Sequence, residues 1–198
     1  GIMRNVGSRG LILNITGNVT NNGKWQFTRT ELSGNTDQTL TLGTGKQFES
    51  SFSVTDSTRG MIVAGSGLAF TQGFNLGKAT LDMKSFAVSL NGPSSNIYNG
   101  NVINARDISG APLKNIYGTP SYPVLDNITY DGNPTIKGRF LINSNVTLKG
   151  AVIVSDTVEE LTGYYDYEKT LWVKGNLVNN GIMRNVGSRG LILNITGN

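Results

Sequence analysis

Neither cysteine nor histidine occurs among the 198 residues. Without cysteine there are no disulfides, thiolate metal ligands or cysteine nucleophiles, and without histidine there is no Ser-His-Asp triad. No run approaches the roughly 18 consecutive apolar residues of a transmembrane helix, so we expect no membrane insertion. The sequence contains no cofactor or metal motif, and we therefore expect neither.

Charged residues are also scarce, at 15% of the chain, against about 25% in ordinary soluble domains. The net charge of +4 comes from 17 basic and 13 acidic residues that are scattered along the sequence. A nucleic-acid surface gathers its basic residues on one face or groove, so we expect no nucleic-acid partner. Asn, Thr, Ser and Gly take the place of charges and predict a polar, weakly charged surface.

One stretch occurs twice without a change. Residues 1–18 and residues 181–198 both read GIMRNVGSRGLILNITGN. The chain is therefore one full period, residues 1–180, followed by the start of the next, residues 181–198. Self-similarity at a fixed period indicates a repeat architecture. We expect adjacent copies to continue one another head to tail, in a covalent array or in a non-covalent polymer.

From Leu11 the sequence alternates with period two, which predicts half-buried strands rather than a helix. One side of the alternation carries Leu11, Leu13, Ile15, Val19, Trp25 and Phe27, and the other carries Asn14, Thr16, Asn18, Thr20, Lys24 and Gln26. Asn21, Asn22 and Gly23 interrupt the pattern, because Asn and Gly tolerate the left-handed backbone of a tight turn. The segment predicts a strand, a sharp corner and a second strand.

The same phrase recurs near the C-terminus, where residues 173–181 align with residues 15–23 at a spacing of 22 through the period. A weaker third occurrence of this phrase, the third echo, begins at Ile136. It starts 37 residues before the occurrence at Val173, and this spacing is interpreted as one coil plus an insertion near 155–170. This alignment stacks Ile136 on Val173 and Phe140 on Leu177. The side chains predicted to point inward are Leu13, Ile15, Val19, Phe140, Val173 and Leu177, with Asn14, Thr16 and Asn18 pointing outward.

Short repeats made of strands and Asn/Gly corners predict a β-solenoid, whose stacked coils share a continuous core. Further strand-like runs occupy residues 39–42, 48–54, 61–64, 68–70 and 79–90. All five prolines lie between Pro93 and Pro134, and proline cannot donate to a strand ladder. We therefore expect residues 91–124 to leave the coil pattern, with 155–170 as a second excursion and room for one helical turn at 156–161.

The phrases GNVTNNGKWQF and GNLVNNGIMRN resemble the repeats of right-handed parallel β-helices in long secreted bacterial surface proteins, such as adhesins and autotransporter passengers. The resemblance covers residues 11–27 and 171–198 and extends partly to 134–150. It implies an all-β fold, a right-handed parallel β-solenoid with loop excursions and with coils of about 22 residues. It also implies an extracellular, cell-surface location, and it brings no catalytic residues.

Residues 155–170 form the candidate contact surface for a partner, because aromatic side chains offer contact area and carboxylates can meet a basic group or a cation. The candidates are Asp156, Glu159, Glu160, Tyr164, Tyr165, Asp166, Tyr167 and Glu168. A solvated loop with no ligand is the competing interpretation. Stacked asparagines at successive corners can form hydrogen-bonded ladders, and the residues assigned this structural role are Asn21, Asn22, Asn179 and Asn180.

Catalysis has little support in the sequence. Polysaccharide hydrolysis needs two carboxyl groups at a set separation, and no pairing can be read from the spacing of the candidates. Those candidates are Asp82, Asp107, Asp126 and Asp131. Residues 43–46 lack the full phosphate-loop spacing and are interpreted as a turn. Trp25, Phe27 and Trp172 are interpreted as core or sheet-face residues rather than sugar platforms, and we expect no enzyme.

The sequence thus predicts a structural repeat that builds an extracellular fibre, stalk or adhesin shaft by end-to-end continuation of coils. With a rise of about 4.8 Å per coil, roughly six to eight coils give about 30–40 Å per period. Two other functions stay open: an adhesin module that binds a glycan or protein through residues 155–170, and a polysaccharide-active β-helix enzyme.

Overall fold

The computed structural model describes residues 1–4, 10–55, 60–92, 95–110, 113–114, 120–160, 169–185 and 190–197, and this part of the chain contains strands and no helix. In chain order the strands are β1 (Ile2–Arg4), β2 (Ile12–Ile15), β3 (Val19–Asn21), β4 (Lys24–Gln26), β5 (Arg29–Leu32), β6 (Gln38–Leu42), β7 (Ser51–Val54), β8 (Ile62–Ala64), β9 (Leu68–Phe70), β10 (Phe74–Asn75), β11 (Thr80–Asp82), β12 (Val88–Leu90), β13 (Ile97–Ile103), β14 (Asp107–Gly110), β15 (Leu113–Lys114), β16 (Pro120–Ser121), β17 (Val124–Asp131), β18 (Thr135–Lys137), β19 (Phe140–Ile142), β20 (Val146–Lys149), β21 (Val152–Val154), β22 (Thr157–Glu160), β23 (Lys169–Lys174), β24 (Leu177–Asn179), β25 (Ile182–Arg184) and β26 (Leu191–Ile195).

The period-two alternation decides which side chains enter the core. In β6 the side chains of Gln38, Leu40 and Leu42 are buried, whereas Thr39 and Thr41 are half-exposed. Successive side chains of a strand point to opposite sides, so an alternating strand covers the core with one side and meets water with the other. The same pattern occurs in β12 and β19, where a half-exposed residue lies between two buried ones.

Each turn of the chain contributes strands to three faces. Face 1 contains β1, β4, β9, β12, β14, β18, β21 and β24, with Phe48 bridging the gap between β4 and β9. Face 2 contains β2, β5, β7, β10, the first halves of β13 and β17, and β19, β22 and β25. Face 3 contains β3, β6, β8, β11, the second halves of β13 and β17, and β20, β23 and β26.

All of these strand pairs are parallel, as a coiled chain requires. One inward column on face 3 passes through Gln38, Ile62, Leu81, Val102, Tyr130, Leu148, Val173 and Ile195. Its longest step joins Val102 to Tyr130 and its shortest joins Tyr130 to Leu148, and the stacked coils are about 22 residues apart. The protein is therefore a parallel β-solenoid, and the fold class and coil length expected from the sequence are confirmed.

The core changes character along the axis. Its N-terminal half is aromatic, and the Phe48–Phe70 and Phe52–Phe74 pairs have centroids 5.5 and 5.6 Å apart. In both pairs the second phenylalanine lies one turn after the first. Such ring pairs contribute about 0.5–1.5 kcal/mol beyond the burial of their area. The C-terminal half is filled mainly by buried Ile, Leu and Val side chains.

The predicted inward and outward residues are confirmed. Val19, Phe140 and Val173 are buried. The partly buried side chains that pack against the core include Leu13, Ile15 and Leu177, and the exposed residues include Asn14, Thr16 and Asn18. The inward assignment is wrong for Leu11, which precedes β2 and is 49% exposed.

The predicted stacking of the third echo is wrong. Ile136 lies on face 1, and Val173 lies on face 3, so they cannot stack. The observed neighbours are Val154 for Ile136, Leu148 for Val173, Val158 for Phe140 and Val152 for Leu177. Turn length varies along the chain. The spacing from Ile136 to Val173 therefore does not divide into one coil and a separate insertion.

Both predicted excursions also need correction. Within 155–170, β22 is a regular strand of face 2 that pairs with β19 and β25, and Val158 is wholly buried, so 157–160 is neither a loop nor a helical turn. Residues 161–168 lie outside the described residues. Within 91–124, β13 and β14 belong to the coils. The departure from the coil begins after Gly110 and includes the antiparallel β15–β16 pair.

Candidate functional site

The predicted contact residues of 155–170 are only partly described. Asp156 is exposed, and its backbone oxygen accepts a hydrogen bond from the Ile182 N–H at 2.9 Å. Glu159 and Glu160 belong to β22, in register with Leu141 and Ile142. The remaining candidates lie outside the described residues, and they are Tyr164, Tyr165, Asp166, Tyr167 and Glu168. The contact surface therefore stays a prediction.

The corner asparagines close local turns. Asn21 is buried, and its side chain donates from Nδ2 to the Gln47 backbone oxygen at 3.1 Å and accepts at Oδ1 from the Gly23 N–H at 3.0 Å. Asn179 accepts in the same way from the Gly181 N–H at 3.1 Å. The two corners lie near opposite ends of the solenoid, and the exposed residues beside them are Asn22 and Asn180. A ladder between these corners requires a following copy and stays a prediction.

An asparagine ladder that the sequence did not reveal lies between faces 2 and 3. Asn99 Nδ2 donates to Asn75 Oδ1 at 3.2 Å, and Asn127 Nδ2 donates to Asn99 Oδ1 at 2.9 Å. Asn99 and Asn127 have φ values of 59° and 43°, in the left-handed region that asparagine tolerates better than most residues. Their spacings of 24 and 28 residues hide the stacking from a search at a fixed period.

The ladder borders an open groove of about 550 Å³. Its lining residues are Asn75, Gly77, Lys78, Asn99, Gly100, Asn101, Asn127, Ile128, Thr129, Asn145 and Thr147. A side chain at Gly100 would collide with Leu76 of the turn below, so glycine is required where the coils approach closely. We name this feature the corner groove. Amides and hydroxyls dominate it, and Lys78 is the one ionisable residue among the described residues that line it.

An outward row of face 3 extends the corner groove along the axis. In register it contains Thr80, Asn101, Thr129, Thr147, Trp172 and Asn194. Trp172 is 37% exposed between the buried Leu171 and Val173, so its indole lies on the outer side of β23. Of the two expectations for Trp172, the sheet face is confirmed and the core is wrong, whereas Trp25 and Phe27 are core residues.

The four aspartates considered for catalysis have different surroundings. Asp82 is buried, and it accepts from Asn104 Nδ2 at 2.9 Å and from the Lys84 N–H at 2.9 Å. Its other oxygen lies 2.8 Å from Lys84 Nζ. Burial opposes ionisation, but the bonds from Lys84 and Asn104 and the Lys84 charge outweigh it and lower the pKa of Asp82.

The other aspartates lie on the outer surface. Asp107 lies 3.0 Å from Lys137 Nζ, and Asp131 lies 3.2 Å from Lys149 Nζ. Asp126 is half-exposed. Among the described residues there is no group of three or more Asp or Glu side chains that could hold a metal ion, and no helix long and apolar enough to cross a membrane.

The two ends of the solenoid expose apolar inner surface. At the N-terminal end Met3 stacks on the buried Trp25 but is 48% exposed. At the C-terminal end Leu193 stacks on Leu171 but is 41% exposed, and Ile195 is 52% exposed. Each of these strands pairs on one side only within the described part of the chain. Unpaired edges with apolar side chains are surfaces on which a further strand can stack.

Comparison of the chain with protein-family models, with curated protein sequences and with solved structures finds no match. Function is therefore inferred from the fold, the repeated sequence and the surfaces described above.

Proposed function

We propose that this chain is a structural repeat of an extracellular fibre, stalk or adhesin shaft, in which copies continue one another end to end. The observation that carries the proposal is the pair of open apolar end turns in a chain whose opening sequence, from Gly1 to Asn18, returns unchanged at its C-terminus. The partner is thus another copy of the same period. The cell-surface location is supported by the resemblance of the corner phrases to the repeats of secreted bacterial surface proteins.

The repeated sequence specifies what would cover the C-terminal end. In the first copy β1 pairs with β4, and Ile2 lies against Lys24, one turn later. β25 has the same sequence as β1. In an array the β4 segment of the next copy could therefore pair with β25 as β4 pairs with β1. Continuation would bury Leu193 and Ile195, and fully burying such side chains stabilises a fold by about 1.5–3 kcal/mol each.

The outer faces suit a passive role. They carry many Thr, Ser and Asn residues, and the surface ion pairs are small, such as Arg29 with Glu31 at 2.6 Å. Such pairs contribute little stability. With a rise of about 4.8 Å per turn, one full period would extend the shaft by about 40 Å. Many copies would project far from a cell.

A chain of two complete periods tests the proposal against a chain of one. We expect electron microscopy to show one continuous rod of about twice the length, and calorimetry to show a single transition at a higher temperature, because the junction buries both open ends. Two separate bodies joined by a linker, each melting as the single period does, would contradict end-to-end continuation.

A further inference from the structure

We propose that the corner groove, extended by Trp172, binds an acidic oligosaccharide that lies along the solenoid axis. The groove is a lateral surface and the proposed contacts between copies are at the ends. Binding here is therefore a function beyond the structural role.

The groove has the shape of a site for an extended chain. Asn75, Asn99, Asn127 and Asn145 belong to four successive turns, with Asn127 and Asn145 preceding the paired residues Ile128 and Val146. Neighbouring strands lie about 4.8 Å apart, so these four turns span about 14 Å. The row continues from Thr147 to Trp172, one turn further. A ligand lying along it would meet a polar group on every turn.

The groove also has unused hydrogen-bonding capacity. The side chains of Asn101 and Asn145 are exposed, those of Thr129 and Thr147 are half-buried, and none of the four has a side-chain hydrogen bond within the described part of the chain. Amides and hydroxyls both donate and accept, as do the hydroxyls of a sugar. A few polar groups of this kind fix the orientation of a ligand in a cleft.

The charge of the groove favours an anion. Lys78 lies on its rim and is exposed. No described carboxylate forms a salt bridge with Lys78, and the described residues that line the groove include no carboxylate. An unneutralised cation in a groove of neutral polar groups attracts a ligand that carries carboxylate or sulfate groups.

Trp172 supplies an apolar platform. Its exposure is not a consequence of an open end, because β23 is paired on both sides, with Thr147 below and Asn194 above Trp172. A flat indole on a polar strand face offers a large, rigid contact that matches the C–H face of a pyranose ring. An acidic peptide fits less well, because strands paired on both sides leave no edge for β-strand addition.

The test is a titration of the chain with hexamers of galacturonic acid, followed by calorimetry and tryptophan fluorescence. The two tryptophans separate the signals, because Trp25 is buried in the core and Trp172 is exposed. We expect saturable binding, a change in fluorescence that Trp172→Phe removes, and at least a tenfold loss of affinity in Lys78→Gln and in Thr147→Val. Lys46→Gln and Thr41→Val are the matched controls outside the groove and are expected to bind normally.

Two further probes separate the chemical classes. Neutral maltohexaose should bind at least tenfold more weakly than the acidic hexamer, and a glutamic-acid hexapeptide should not bind. Equal affinity for the neutral sugar overturns the role of Lys78, and equal affinity for the peptide overturns sugar recognition. Absence of binding by all three probes, with each variant folded by circular dichroism, overturns the site and leaves the end-to-end proposal standing.

Discussion

The two copies of the repeated sequence lie on different faces of the solenoid. The first copy places β1 on face 1 and β2 on face 2, paired with β4 and β5. The second places β25 on face 2 and β26 on face 3, paired with β22 and β23. Identical residues are therefore displaced by one third of a turn.

What the copies share is the direction of their side chains. Met3 lies in register with the buried Trp25, and Met183 lies in register with the buried Val158. Leu193 likewise lies on the buried Leu171. The period-two pattern thus decides which side of a strand meets the core, whereas the face is decided by the summed lengths of all preceding turns.

A displacement of one third of a turn has a geometric consequence for an array. The contacts of each copy along the chain stay the same, because β1 meets β4 within its own copy. Each following copy, however, would be rotated by about 120° around the axis, a large version of the per-repeat rotation that shapes other solenoids. Three copies would return the shaft to its starting orientation.

The largest expected effect is this rotation. In a chain of three complete periods, cryo-electron microscopy should show the β15–β16 segment on three different sides of the rod, about 40 Å apart along the axis and about 120° apart around it. The same segment appearing on one side in all copies would show that the period is a whole number of turns, and it would remove the displacement between the two copies.

The next effect compares the same isoleucine in both copies. Ile15 packs against the core beside Leu32, whereas Ile195 is 52% exposed at the open end. In the 198-residue chain Ile15→Asp should destabilise the fold by about 3 kcal/mol or more, because a carboxylate is placed against apolar groups. Ile195→Asp should have a small effect.

Adding a following copy should abolish that difference, because continuation buries Ile195. Thr16→Asp serves as the outward-facing control, with an expected change within about 0.5 kcal/mol. Chemical denaturation measures all three variants. Equal losses for Ile15→Asp and Thr16→Asp would contradict the inward and outward assignment.

Sequence reasoning succeeded where the cause is local. Alternation from Leu13 to Phe27 predicts the inward side chains, and the recurring corner phrase predicts the turn length. It failed where the cause is cumulative. The prediction for the third echo assumes turns of constant length. In the structure the turn from Val102 to Tyr130 is much longer than the turn from Tyr130 to Leu148. The corner groove escaped prediction for the same reason, since its asparagines align only after every turn length is known.

The third prediction concerns a corner that fixes one of these turns. Asp82 holds Lys84, whose φ is 48°, through the Lys84 N–H and Nζ. Asp82→Asn should lower stability by about 1–2 kcal/mol at pH 7, because charge-assisted bonds are lost. Since the folded pKa of Asp82 lies below the unfolded value of about 3.9, this contribution is present above pH 4 and is lost as the pH falls through the folded pKa.

Denaturation of the unmodified protein and of Asp82→Asn between pH 2 and pH 7 measures how this contribution to stability depends on pH. The two stabilities should converge below pH 4. Asp126→Asn, at a half-exposed aspartate without a described ion pair, should show little difference at any pH. A difference for Asp82→Asn that persists undiminished at pH 2 would show that its charge does not hold the corner.

The smallest effect concerns Tyr130, at the most irregular point of the face 3 column. Its side chain is wholly buried, and its hydroxyl is a buried side-chain atom without a hydrogen-bond partner among the described residues. Burial raises the pKa of Tyr130, so the hydroxyl stays neutral. Removing an unsatisfied buried hydroxyl relieves its desolvation penalty, and Tyr130→Phe should therefore stabilise the protein by about 1 kcal/mol.

Thermal denaturation of Tyr130→Phe, with Tyr98→Phe as the half-exposed control, measures this gain. The control should change stability by less than about 0.5 kcal/mol. A loss of stability in Tyr130→Phe would mean that the hydroxyl has a hydrogen-bond partner, and it would contradict the assignment of an unsatisfied buried group.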